Sequence, residues 1–250
     1  MSVSVTGSTR RLDIGKVLTD GLGVVARNFG PFFLLCLLLQ GVPSALVAYG
    51  QLMARASGIF SIFAIVGALA SLVTVPMLEG ALISGSMSDL EGRPASMNDW
   101  LAAGRAHWPR LLGLGLLTAL GVCLGLILLI VPGVLLALRW SAAGPAVVLE
   151  GRSIQEAMGR SAALTRDRRW AIFLLGLIFL GAMIVLQIAL SIVGFPFRGL
   201  GPGSAFSTVV SPLVNTCVSL VAYPIATTLF RELRSDKEGG APEALGQVFA

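Results

Sequence analysis

Five stretches of this 250-residue chain contain no Asp, Glu, Lys or Arg: residues 28–54, 56–78, 111–138, 170–197 and 199–230. A helix needs about 20 apolar residues to cross a hydrocarbon core about 30 Å thick, and every stretch reaches that length. A 26.0 kDa globule has too little interior to hide them. Only 12% of the chain is charged, against about a quarter in soluble domains. The sequence therefore predicts an all-α integral membrane protein.

The number of crossings follows from charge. Residues 111–150 are too long for one span, and Val131-Pro132-Gly133 supplies a turn signal within them. Splitting there gives six helices, about 30–53, 59–85, 111–131, 134–150, 171–195 and 206–230. One side then receives the N-terminus with Arg10, Arg11, Lys16 and Arg27, and the 86–110 loop with Arg93, Arg105 and Arg110. It also receives Arg152, Arg160, Arg166, Arg168 and Arg169, followed by Arg231, Arg234 and Lys237. The other side keeps Arg55 and Arg198, while Arg139 falls within a span. Positive loops stay inside, so both termini are expected in the cytoplasm; the bacterial inner membrane is expected only through the family resemblance given below. The first apolar run is too long for a signal peptide. Residues 1–11 read as a disordered leader and 235–250 as a flexible cytoplasmic tail.

A unit recurs along the chain. Asp13, Ser96 and Ser153 each open a short polar helix that runs into an apolar hairpin. Ser96 and Ser153 are followed three residues later by Asp99 and Glu156, the capping-box spacing, whereas Lys16 stands at that place after Asp13. Ile14, Val17, Leu18, Gly21 and Val25 share one helical face, as do Ile154, Ala157, Met158, Ser161 and Thr165. Both faces are expected to meet acyl chains or neighbouring spans. Pro76, Pro145 and Pro224 are expected to kink the second span of each hairpin, with Glu79, Glu150 and Glu232 following. The expected architecture is three parallel repeats over about 12–92, 93–151 and 152–234, within a membrane domain spanning 12–234.

Chemistry is sparse. The net charge of +5 is carried by the loops between spans, where it sets orientation, so nucleic acid is not an expected partner. Cys36, Cys123 and Cys217 lie in apolar runs and read as packing residues. His107 has no second ligand at metal-binding spacing. No nucleophile with a base, paired carboxylates or phosphate loop is apparent, so no enzymatic activity, cofactor or metal is expected.

The segment Pro132–Trp170 contains Arg139-Trp140, Pro145-Ala146-Val147-Val148, Glu150-Gly151 and Ala157…Arg160-Ser161…Leu164-Thr165. With Leu12-Asp13-Ile14-Gly15 and Asn28-Phe29-Gly30-Pro31 upstream, it resembles the bacterial group that includes the glycerophosphodiester phosphodiesterase membrane domain and YciC-like inner-membrane proteins. One departure is Asp167, where that pattern has Gly. The resemblance implies a six-helix membrane domain of poorly defined role. A catalytic barrel would need about 250 further residues, so it implies no inherited phosphodiesterase activity.

Arg139 is placed about six residues into the fourth helix, roughly 9 Å along its axis. It either snorkels to outer headgroups beside Trp140 or faces inward to hold a lipid phosphate. Arg160, Arg166, Arg168 and Arg169 form a basic set suited to anionic headgroups on the cytoplasmic face. Gln40, Thr74, Gln187 and Asn215 read as interhelical glue, and Gly121/Gly125 and Gly67/Ser71 as close-packing pairs. The favoured reading is a non-enzymatic protein of envelope or lipid homeostasis that binds lipids or a membrane-protein partner. The alternative is a transporter or lipid translocator using Arg139.

Overall fold

A computed structural model describes residues 13–57, 61–194 and 205–238. The expected leader 1–11, Arg198 and residues 239–250 of the expected tail lie outside the described residues. The described chain is helical apart from short connections. Six helical segments are long and apolar enough to cross a membrane: Phe29–Ala54, Ile62–Leu90, Met97–Leu128, Ile130–Glu150, Arg169–Leu190 and Val210–Glu238.

Helix α1 (Ile14–Arg27) opens as expected, with the Asp13 carboxylate accepting the Lys16 backbone N–H at 3.1 Å. Its apolar face buries Val17, Gly21, Val24 and Val25. The face packs on the last helix, α10 (Ala205–Glu238), where the Thr228 hydroxyl donates to the Val17 carbonyl at 3.2 Å. A β-carbon at Gly21 would lie 3.0 Å from the Ile225 side chain, so the small residue sets that approach.

The first span is divided into α2 (Phe29–Cys36), a π-helical turn Leu37–Gly41 and α3 (Val42–Ser57). Pro43 has no N–H to donate and crowds the preceding turn, and the wider π turn just before it relieves that clash. Gln40 donates its side-chain amide to the Asn215 carbonyl at 3.3 Å, the interhelical role expected of it. Gln187, by contrast, is exposed.

Helices α4 (Ile62–Leu90) and α5 (Met97–Leu128) form an antiparallel hairpin. At about 1.5 Å per residue they are roughly 43 and 48 Å long, well beyond a hydrocarbon core of about 30 Å. The Ser96–Asp99 capping box is present, but the polar helix it opens does not stop before the span. Residues 97–128 are one continuous helix that carries Pro109 inside it.

The turn after α5 falls at Leu129, in extended conformation, three residues before the expected Pro132-Gly133. Pro132 is the third residue of α6 (Ile130–Trp140), where no intrahelical N–H is required, so it helps open a helix. The fourth span is also interrupted: α6 ends at Trp140, and α7 (Ala143–Glu150) starts after Ser141-Ala142. Pro145 therefore sits in the first turn of α7 and is not a mid-helix kink. Pro76 and Pro224 do lie inside helices, joined by Pro109 and Pro212.

Gly151 ends α7 with φ +64°, a left-handed cap that glycine adopts without strain. Ser153 and Glu156 then form the second capping box, opening α8 (Ile154–Thr165). Its buried face is Ala157, Ser161, Leu164 and Thr165, turned to α6 and α7. Helix α9 (Arg169–Gly194) follows, and α10 runs four residues past the expected start of the tail. Those four residues stay helical because Asp236, Lys237 and Glu238 are held by ion pairs.

The core has two parts. One joins Val17, Leu111, Ala143, Val147, Leu164, Phe230 and Leu233; the other joins Val24, Phe32, Leu78, Leu82 and Trp100. Of the cysteines only Cys36 is buried; Cys123 and Cys217 are exposed on their helices, against the packing role expected for all three.

Candidate functional site: an arginine-ended cleft and a carboxylate cavity

The four arginines expected to act as one basic set divide into two pairs. Arg160 reaches Glu150 at 3.1 Å and also pairs with Glu238. Arg168 donates to Asp236 at 2.7 Å. These two tie α8 and the α8–α9 corner to the end of α10, and their charge is spent there. Arg166 and Arg169 instead line a cleft of about 600 Å³ between α6 and the α8–α9 corner. Its walls are Ile130, Val131, Val134, Leu135, Leu138 and Phe173, and Asp167 and Trp170 line it beside the two arginines.

Arg169 Nε is buried without a hydrogen-bond partner among the described residues, an orphaned donor beside the cleft. Arg169 also begins α9, whose first backbone N–H groups carry the positive end of the helix dipole. Guanidinium and dipole therefore both favour an anion at this end. Trp170 next to it is 83% exposed, as suits a residue at a membrane interface. Asp167, the departure from the family pattern, binds Lys237 at 3.1 Å. That hydrogen bond holds its carboxyl below the usual carboxylate range.

Arg139 does not reach this cleft. It lies in the last turn of α6, about 14 Å from Ile130 at 1.5 Å per residue. This is near the middle of its 21-residue span, deeper than expected, because the turn comes earlier in the chain. Its side chain is exposed and lines neither of the two cavities described. Its backbone has the clearer role. The Arg139 carbonyl accepts from the Ser161 hydroxyl at 2.8 Å, and the same oxygen of Ser161 accepts the Ala142 N–H at 3.1 Å. Ser161 thus bridges the α6–α7 break.

Trp140 points elsewhere, against Gly121 of α5, and lines a second cavity of about 520 Å³. That cavity lies between α4, α5, the α6–α7 break and α10. Glu79 enters it as the eighteenth residue of α4, about 26 Å from Ile62. In the sequence Glu79 is one of three acids, with Glu150 and Glu232, that follow a span proline. Glu150 and Glu232 have found cations, in Arg152 and Arg160 and in Lys16 respectively. Glu79 makes no ion pair and no hydrogen bond among the described residues. A carboxylate just three residues beyond Pro76, with the helix still running on to Leu90, is the signal that marks it.

Among the described residues no three His, Cys, Asp or Glu side chains converge as a metal set. His107 Nδ1 lies 2.8 Å from the Ala103 carbonyl oxygen.

Residues 112–233 match the family model described as the membrane domain of glycerophosphoryl diester phosphodiesterase. No curated protein and no solved structure matches the chain.

Proposed function

Starting from a multi-pass membrane protein with a glycerophosphoryl diester phosphodiesterase membrane domain over residues 112–233, we propose that it works without catalysis, as a binder of anionic lipid. The observation that carries this reading is the cleft between α6 and the α8–α9 corner. It combines an apolar wall with Arg166 and the unpartnered Nε of Arg169 at one end. An acyl chain fits the wall and a phosphate fits the basic end, while Trp170 suits the headgroup layer.

The protein sits in a bacterial inner membrane with α1, α8 and the end of α10 on the cytoplasmic side. The basic loops favour that side. Its architecture is a threefold parallel repeat of capped helix and hairpin, supported by the capping interactions at Asp13, Ser96 and Ser153. Envelope or lipid homeostasis, with a membrane-protein partner, is the matching role. Translocation through Arg139 draws no support from a side chain that lines neither cavity.

Native mass spectrometry of the purified chain tests the lipid reading. Phosphatidylglycerol should be retained over phosphatidylcholine, and Arg166→Ala with Arg169→Ala should weaken it about thirtyfold, at about 1 kcal/mol per arginine. Equal retention of both lipids would sink the reading. A reporter fused after Leu149 that is active in the periplasm would reverse the orientation.

A further inference from the structure

The carboxylate cavity asks for a ligand of the opposite sign. Among the described residues its lining contains no Lys, Arg or His, and Glu79 is its one carboxylic acid. A carboxylate inside an apolar-walled space is costly without a counter-charge or hydrogen-bond donors. Every other acid at the corresponding point of a hairpin has a cation; this one faces open space.

The remaining polar groups sharpen the chemistry. Ser141, Thr118 and Tyr223 line the same cavity. The Ser141 hydroxyl spends its proton on the Leu138 carbonyl at 2.9 Å, which leaves its oxygen to accept. Hydroxyls of Thr118 and Tyr223 can accept as well. Trp140 and Tyr223 add aromatic rings, which attract cations. The fold also keeps the carboxylate open: a β-carbon at Gly144 would sit 2.5 Å from Glu79 Oε1.

One negative charge, several acceptors and no competing cation match a group with three N–H donors and one positive charge. We propose that this cavity is a binding site for a primary ammonium group, with Glu79 as its counter-ion and Ser141 among its acceptors. The proposal goes beyond the anionic-lipid cleft and does not depend on it. The group could arrive on a free alkylamine or on an amine-headed phospholipid, since both present the same ammonium.

Two probes separate these sources. Ethylamine is titrated by calorimetry into the chain in detergent, and phosphatidylethanolamine is offered in nanodiscs for native mass spectrometry. Binding of ethylamine alone identifies a soluble amine, retention of phosphatidylethanolamine alone identifies a headgroup, and either upholds the ammonium site. Tetramethylammonium and phosphatidylcholine, which lack N–H donors, should bind about tenfold more weakly or worse. Glu79→Gln keeps the shape, removes the charge, and should cost about tenfold or more for whichever amine binds. Arg166→Ala with Arg169→Ala should leave amine binding unchanged, so the two sites fail or survive separately. Should Glu79→Gln not fold, the discrimination by the unmodified chain between primary and quaternary amines decides alone. Absence of amine binding, equal affinity for quaternary amines, or full affinity in Glu79→Gln would overturn the proposal.

Discussion

The C-terminal half of α10 and the hairpin tip between α5 and α6 are built from similar residues and behave as opposites. Around α10, Phe230 and Leu233 are fully buried under α1, α7 and α8. At the tip, Ile127 is 81% and Ile130 73% exposed. Helix α9 joins the first region only at its start, through Ile172 and Leu175, and exposes Val185 and Ile188 further on. The difference lies in what covers each region. Lipid is as apolar as leucine, so a span gains little by hiding one apolar side chain behind another. Around α10 the packing is dense where α1 and α8 add polar bonds that lipid cannot supply. Lys16–Glu232 and Arg168–Asp236 clamp those helices onto α10, and the hydrophobic contacts form beneath the clamps.

The comparison is sharpest when the same kind of truncation is made in both places. Phe230→Ala should cost about 3–5 kcal/mol, the range for emptying a buried aromatic site. Ile188→Ala at an exposed position of α9 should leave the unfolding midpoint where it was. Detergent-denaturation midpoints of the two variants measure this directly, and equal shifts would mean that α10 is not the core.

A smaller effect is expected where two helices touch through backbone. A β-carbon at Gly104 would collide with the Met77 carbonyl oxygen, which belongs to α4 and cannot swing away as a side chain would. Gly104→Ala should therefore destabilise by about 1–3 kcal/mol. Gly115→Ala on the same helix meets nothing within 4 Å and should not. Thermal unfolding of the pair distinguishes close packing from helix propensity, which favours alanine at both positions.

How far these regions were legible in the sequence differs for the same physical reason. Spans and caps are local: absence of charge marks the first, and Ser96/Asp99 and Ser153/Glu156 at three-residue spacing mark the second. Leu129 carries no turn signature, and Pro132-Gly133 a strong one, yet the helix restarts before the proline because its first turn accepts proline. The partners of Arg160 and Arg168 lie beyond the reach of pattern, since Glu238 and Asp236 are 78 and 68 residues away. Without those pairs the four arginines look equivalent, and so do the three glutamates. Only the fold reveals that Arg166, Arg169 and Glu79 are left over.

The Ser161 bridge tests whether α8 is a structural part of the fourth span or merely lies beside it. Ser161→Ala removes the acceptor of the Ala142 N–H and a donor to the Arg139 carbonyl, leaving a buried amide unpaired. The cost should be about 1 kcal/mol. The local signature is faster hydrogen exchange at Ala142 than in the unmodified chain, with the amides of α4 unchanged. Exchange at Ala142 that is already fast would place α8 outside the packed region.

The smallest effect concerns the α8 capping box and the Asp167–Lys237 pair, through pH. The Ser153 hydroxyl and backbone N–H hydrogen-bond Glu156 and hold its carboxyl below the ordinary value, and Lys237 does the same for Asp167. A carboxyl depressed in the folded state favours folding in full above its unfolded value, about 4. That contribution fades as pH falls through the lower folded value, because the unfolded chain takes up the proton first. Acidification should therefore loosen α8 and the end of α10 before it touches the hairpin tip, which has no such groups. Proteolysis across a pH series should cut near Arg166 at higher pH than near Leu129. With Glu156→Gln and Asp167→Asn together, that pH dependence should flatten, and an unaltered profile would show that these two carboxyls do not set the acid sensitivity of the packed end.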